Sequence, residues 1–445
     1  MSITGYKSSE GVDIGLFFLA GNSGITTGYK NSEGTDLGSL FLAGNSGITT
    51  GYKNSEGGDL GSLFARAPMF SVIGNGTGGG VGAALAISLS AITGDNLGNI
   101  YVSLAAPNTK LLAYNGPGTT STPCNFIAKW NKTLWQPIGV GDGGAGGFNF
   151  VAGTGGGVKC IGIDNFNNLY ALGSFNIAYN ATNLSCKYIC LWNESTSSWS
   201  NVGSPPTTYY GFITFACDLN NNIFTSGAGS NIAYKCTTSP SYVWTTLTIA
   251  PIMSGYPSVL VNDINGNIYV GGNPQFNGAG GYIDIAKFPN GGTAFAPLSN
   301  STSGIASSSV ISNMAIDNTT GNIYIVGTFT GVYNSGTLIP ANGLAVVSSS
   351  GVWSALGNTI GPGSYTSIAI DPSLNLYFGG NGINLYKYSI STQTYSIIGN
   401  TATGGTISRL HFNNSNNALY ASCLRTMKTT ATGITISANN ICSYF

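Results

Sequence analysis

Few residues of this chain are of types that do chemistry, and their spacing decides how to read them. The single histidine, His411, stands in an alternation beside Phe412, with no second histidine and no paired serine or cysteine to complete a nucleophilic triad. It reads as a core or surface residue. Cys186 and Cys190 form a C-x3-C pair without the histidine or cysteine companions that a zinc site requires. The run from Asp263 to Asn267, Asp-x-Asn-Gly-Asn, starts like a calcium loop but lacks the acid at its far end. Those same residue types are what a tight turn between two strands needs for its own backbone. Asp164, Asp218, Asp263, Asp317 and Asp371 occupy equivalent turns, so they should ring the structure rather than converge as an acid and base pair. The glycine-rich stretches at 74–80 and 141–147 lack the lysine and the strand-to-helix context of a phosphate loop. No catalytic set emerges, no cofactor is expected, and the chain reads as a non-enzyme.

The elements that carry these residues are repeats. The pattern of Val261 to Gly272, an acid, a polar turn, a short apolar run and glycine, recurs at Gly94, Ile163, Cys217, Asn262, Ile316, Ile370 and Phe412. Its aromatic anchors are Tyr101, Tyr170, Phe224, Tyr269, Tyr324, Tyr377 and Tyr420. A second pattern, centred on Ile73, Ile138, Val202, Leu247, Leu298, Leu356 and Ile398, interleaves with the first. Between them lie middle runs such as Ile127 to Trp130 and Ile285 to Phe288. Each unit therefore holds four short strands, which is one blade of a β-propeller. The last unit ends without its fourth strand, and the first copy of the second pattern, Met69 to Gly74, precedes the first complete unit. The expected fold is all-β: a seven-bladed propeller over residues 67–445 whose ring is closed by N- and C-terminal strands in one blade. Six blades is the alternative, if the weak unit around Phe224 merges with a neighbour. Cys423 and Cys442 would then sit on neighbouring strands of the closing blade, a candidate disulfide.

Composition narrows the partners. Only 7% of residues are charged, 15 basic against 15 acidic, so there is no electrostatic footprint for nucleic acid or an anionic membrane. Asn, Ser, Thr and 66 glycines must solvate the surface, which suits turn-rich β structure. Low charge also removes a usual guard against self-association. Eight cysteines are too few for a disulfide scaffold and read mostly as small buried residues. No apolar run is long enough to span a membrane, and the first residues lack the basic and apolar regions of a secretory signal.

Residues 1–66 are organised differently. Gly5, Gly28 and Gly51 open three near-identical units at a 23-residue period. Each reads as a brief extended Gly-Tyr-Lys, a turn at Ser-Glu-Gly, and one helical turn opened by Asp13, Asp36 or Asp59. In the second unit Leu37, Leu40 and Phe41 fall on one face of that turn. So small a unit cannot offset its own ordering entropy and must pack on neighbours, on another copy or on a larger body. The expected assembly residues are Tyr6, Tyr29, Tyr52, Leu37, Leu40, Phe41, Leu60, Leu63 and Phe64, with homo-oligomerisation through residues 1–66.

The Gly-Tyr-Lys, polar turn, Gly-x-Asp-Leu-Gly-x-Leu-Phe unit resembles short repeats in structural and fibre-like proteins of large DNA viruses and some phages. The resemblance covers residues 5–64. It implies a virion component, made in the host cytoplasm, that assembles or attaches through these repeats and contacts other virion proteins or host-surface glycans. The Gly-Asn-(Ile/Leu)-Tyr and Trp-x-x-Leu-Gly strands resemble kelch-like propellers, which supports fold and not activity. The leading expectation is thus a virion structural protein, fibre or capsid decoration with a propeller head. A carbohydrate-binding propeller is the alternative.

Overall fold

The computed structural model describes residues 70–444 apart from 74–79, 83–87, 106–110, 116–120, 140–147, 151–156, 181, 207–210, 228–231, 240, 249–255, 274–281, 284, 307–308, 357–362, 402–404, 424–425, 431–434 and 438–439. The chain divides into two compact units, Met1–Pro68 and Met69–Phe445. The first lies outside the described residues, and with it every assembly residue expected from the repeats.

The second unit is built of strands because its apolar segments are short, rich in Ile, Val, Tyr and Phe, and punctuated every few residues by Asn, Asp and Gly. Of the nine sheets among the described residues, seven follow one another along the chain, each built on four strands in simple antiparallel order, to which two of them add further strands. The first comprises Ala91–Gly94, Ile100–Ser103, Ile127–Trp130 and Trp135–Pro137. The second comprises Gly157–Ile163, Leu169–Asn180, Ile189–Asn193 and Ser198–Asn201. The third is Ala216–Cys217, Ile223–Ser226, Ile232–Thr237 and Val243–Thr248, so the unit around Phe224 forms a sheet of its own. The fourth is Tyr256–Asn262, Ile268–Asn273, Ala286–Phe288 and Ala296–Pro297. The fifth is Ile311–Ile316, Ile323–Gly327, Leu344–Val347 and Trp353–Ala355. The sixth is Tyr365–Ile370, Asn375–Gly380, Asn384–Ser389 and Thr394–Asn400. In the seventh, Ile407–Asn413, Ala418–Cys423 and Ile441–Tyr444 are joined by Phe70–Val72 from the start of the unit, with Phe70 opposite Tyr444 and Val72 opposite Cys442.

The core lies between sheets rather than inside any of them. Phe224 of the third sheet packs with Ile268, Val270 and Phe288 of the fourth, and Tyr269 with Ile311, Met314 and Ile325 of the fifth. At the two ends of the chain, Ile100 and Val102 share a cluster with Ala418, Tyr420 and Ile441. Second strands are consequently buried on both faces, as Ile100–Ser103 and Ile323–Gly327 are along their whole lengths.

Side-chain hydrogen bonds join neighbouring sheets at or beside their first strands. Ser90 Oγ donates to Val158 O at 2.7 Å, Ser226 Oγ to Pro257 O at 3.0 Å, and Ser258 Oγ to Ile311 O at 3.1 Å. Thr366 Oγ1 donates to Ile407 O at 3.3 Å, and Arg409 Nε to Ser90 O at 2.5 Å. The outer strands are tied by indoles: Trp135, Trp244 and Trp353 Nε1 donate to Ile73 O, Val202 O and Ser299 Oγ of the preceding sheet.

The four-strand pattern of the sequence misses one feature. Extra strands are inserted between second and third strands: Leu111–Tyr114 and Thr122–Asn125 in the first sheet, Gly331–Asn334 and Thr337–Pro340 in the fifth, Thr426–Thr429 and Thr435–Ser437 in the seventh. They form side sheets or extend a neighbour. In an antiparallel sheet these connections lie at the opposite end from the turns between first and second strands. One end is thus elaborated, and the other keeps short turns.

Candidate functional site

The short-turn end holds the repeated aspartates, and each carboxylate accepts hydrogen bonds from its own turn. Asp263 Oδ1 accepts from Asn265 N at 3.0 Å and Asn267 N at 2.8 Å; Oδ2 accepts from Asn267 Nδ2 at 2.7 Å and Tyr269 OH at 3.0 Å. Asp95 makes the same four bonds with Leu97, Asn99 and Tyr101, and Asp164 with Phe166, Asn168 and Tyr170. Asp371 holds Asn375 and Tyr377 alike, and Asp218 holds Asn220 and Asn222 with Phe224 in the tyrosine's place. Asp317 sits in a turn one residue longer and uses Thr319 N and Thr320 Oγ1 instead. In the seventh sheet Asn413 takes the acid's position and accepts from Ser415 N. A carboxylate offers about four acceptor sites, so at Asp95, Asp164 and Asp263 the four donors leave none for a cation. Among the described residues no group of three or more His, Cys, Asp or Glu could hold a metal ion.

The tyrosines are locked in turn. Burial first, then the neighbouring Asp95 charge, pushes the Tyr101 phenol well above its ordinary range, and Tyr170 and Tyr377 follow with Asp164 and Asp371. Their ionised forms are thereby disfavoured near neutral pH. Across the sheet a lysine faces the aromatic in register, Lys129 on Tyr101, Lys235 on Phe224, Lys287 on Tyr269 and Lys387 on Tyr377, with ammonium-to-ring distances of 5.5–5.8 Å. Lys129 also pairs with Glu194, which accepts from Trp192 Nε1 as well. These lysines were overlooked in the sequence, where a basic residue inside an apolar run such as Ile-Ala-Lys-Phe was the available signal.

His411 lies on the first strand of the seventh sheet, with Nε2 sealed from solvent and without a hydrogen-bond partner. Burial of the ring lowers its pKa from 6.5 to about 4, so this half-buried residue is neutral near pH 7, with Nε2 beside Gly94. Of the proposed cysteine pair, the side chain of Cys423 lies outside the described residues. Its backbone pairs with Ile407, while Cys442 faces Ala421.

What this end offers is a surface. The residue before the last of each turn is left-handed: Gly98, Asn167, Asn221, Gly266, Gly321, Leu374 and Asn417, with φ from 51° to 82°. Glycine and asparagine fit that conformation, and Leu374 is the exception. Adjacent turns are joined by asparagine, as Asn96 N and Asn165 N donate to Asn167 and Asn221 Oδ1, and Ile264 N to Asn318 Oδ1, each at 3.0 Å. Asn413 Nδ2 reaches Asp95 O at 3.3 Å. On this rigid base the first four turns display Leu97, Phe166, Leu219 and Ile264, exposed by 63, 74, 55 and 65%. The equivalent tips of the last three are Asn318 and Thr319, Pro372 and Ser373, and Asn414 and Ser415, all exposed. Leu134, Val243 and Val352 add smaller exposed apolar groups at the outer turns of the same end.

No protein-family model matches the sequence, and no curated protein does. Solved structures do. A catalytically inactive virginiamycin B lyase from Staphylococcus aureus, crystallised with quinupristin, matches with a TM-score of 0.51 at 10% identity, over 82% of this chain and 98% of that one. A streptogramin B lyase gives the same score and identity over 82% and 97%. The extracellular domain of a one component system from B. thetaiotaomicron matches with a TM-score of 0.50 at 15% identity, over 84% of this chain; the match spans only 39% of that longer chain. At such identities the likeness concerns the fold, which is a β-propeller.

Proposed function

We propose that this chain is a non-enzymatic interaction protein of a virion, a seven-bladed propeller head that docks a protein partner through its short-turn end. The observation that carries the docking role is the arc of Leu97, Phe166, Leu219 and Ile264. Three other turns build the same scaffold with polar tips, so the fold does not require apolar ones. Large apolar side chains exposed on successive neighbouring turns, with no folding role, mark a binding site. The pairing of Phe70–Val72 with Ile441–Tyr444, and the core cluster shared by the first and seventh sheets, support a closed ring of seven blades. The virion role rests on the three N-terminal repeats, which serve as the assembly segment joining copies of the chain. The non-enzymatic reading rests on Asp95, Asp164 and Asp263, whose acceptor sites are filled, and on a histidine whose Nε2 is sealed from solvent.

Electron microscopy of the full chain beside residues 69–445 tests these parts together. Seven-lobed rings are expected from both, and higher assemblies from the full chain alone. Six lobes would refute the blade count, and a full chain that stays monomeric at high concentration would refute the assembly role. Strong hits of residues 69–445 on a glycan array would replace the protein partner by a carbohydrate.

A further inference from the structure

Cys186 and Cys190 are four residues apart, and in a regular strand such residues lie roughly 13 Å from one another. Here both side chains belong to one core cluster, buried at 1 and 0% exposure, and the two thiols interact. The backbone between them explains this. Leu169–Asn180 runs past both cysteines, pairing Ile177 with Ser185 and Leu172 with Ile189, so five steps on the long strand face four on the other. Cys186 N donates to Asn176 O at 2.9 Å, Tyr188 N to Phe175 O at 3.0 Å, and Gly173 N to Tyr188 O at 3.0 Å. To meet these partners the chain turns at Tyr188, whose φ of 67° is left-handed, a conformation that a bulky side chain rarely adopts. Tyr188 is held there by an edge contact with Phe212, ring centroids 6.3 Å apart, and by Lys187 over its ring. A strained residue fixed by its surroundings thus bends the chain between the two cysteines and sets both in one cluster, the approach that a disulfide requires of its flanking backbone.

We propose that Cys186 and Cys190 form an intrachain disulfide that staples the passage from the side hairpin at Thr182–Ser185 into the third strand of the second sheet. Each thiol gives up its hydrogen and the two sulfurs bond. The two electrons and two protons pass to a small-molecule disulfide, which leaves as two thiols. The bond forms while this segment is still open, and burial then shields it from reductants. The sequence alone does not reach this pair, because C-x3-C in an extended strand separates the two side chains.

The test uses the full chain brought to equilibrium in a buffer of oxidised and reduced glutathione, both from the native state and by refolding, then trapped by alkylation in denaturant. Trypsin cuts after Lys159, Lys187 and Lys235. The peptides Cys160–Lys187 and Tyr188–Lys235 should remain joined, and fragmentation should place the bond at Cys186 and Cys190. Full alkylation of both from either starting state overturns the proposal, as does a bond from either to Cys160, Cys217 or any other cysteine. In Cys186→Ser the peptides should separate and Cys190 should alkylate completely; a surviving link in that variant also overturns it.

Discussion

The first four short turns and the last three are built alike and finished differently. Both groups begin with an acid or asparagine that gathers the turn's N–H groups, and both pass through a left-handed residue. They differ at the tip: Leu97, Phe166, Leu219 and Ile264 on one side of the end, asparagine, serine, threonine and proline on the other. The scaffold is therefore a requirement of folding, and the tip is free to serve something else. This separation can be broken or sharpened by mutation.

The largest effect should come from the scaffold. Asp263→Ala removes the acceptor of four donors and should destabilise by about 3 kcal/mol in denaturant unfolding. Asp317→Ala, whose turn has fewer such bonds, should cost about half as much. Equal losses would erase the distinction between the four-donor turns and their longer variant.

His411 belongs to the polar side, on the strand that ends at Asn413. Its folded pKa of about 4 lies below the ordinary 6.5, so the neutral form is favoured by folding. Its contribution is complete above pH 6.5 and is lost as pH falls from there to about 4, up to roughly 3 kcal/mol. His411→Leu should flatten that part of the stability-pH curve; an unchanged slope would remove the histidine from the account.

Gly266→Ala combines a left-handed φ of 78° with a new Cβ 2.9 Å from Leu219 Cγ, and should cost about 2 kcal/mol. Gly291→Ala, at a φ of 75° with nothing within 4 Å, isolates the backbone part and should cost about 1 kcal/mol. Leu374→Gly should run the other way and stabilise by about 0.5 kcal/mol, because it relieves the one bulky left-handed residue of these turns.

The smallest expected change in stability is the most informative. Phe166→Ser and Ile264→Ser should each leave unfolding within about 0.5 kcal/mol of wild type, while binding of an apolar dye to the folded protein falls. Large destabilisation would make the arc part of the fold and withdraw it as a docking surface.

Much of this molecule was legible before any coordinates. Strands alternate with Asn, Asp and Gly because a short buried strand needs β-branched and aromatic residues, and its turn needs residues that tolerate positive φ. Hence the runs at Tyr101, Tyr269 and Tyr377 fall on second strands, and the Asp-x-Asn-Gly-Asn run at Asp263 is a turn. The exposed tips were not legible. Leu97 and Phe166 are as apolar as any core residue, and only the path of the turn turns them outward. The lysines on tyrosine rings were equally hidden, since register across strands decides which residues face one another.

Local chemistry, written in short repeated segments, is thus what the sequence by itself determined: the strands, the turns and the order in which they follow. The tertiary structure alone decided which copies differ in use. Sheets packed face to face bury both sides of their second strands, and the backbone path through the second sheet brings Cys186 and Cys190 into one buried cluster. Those placements join residues whose separation along the chain does not fix their distance, because packing and not periodicity sets it.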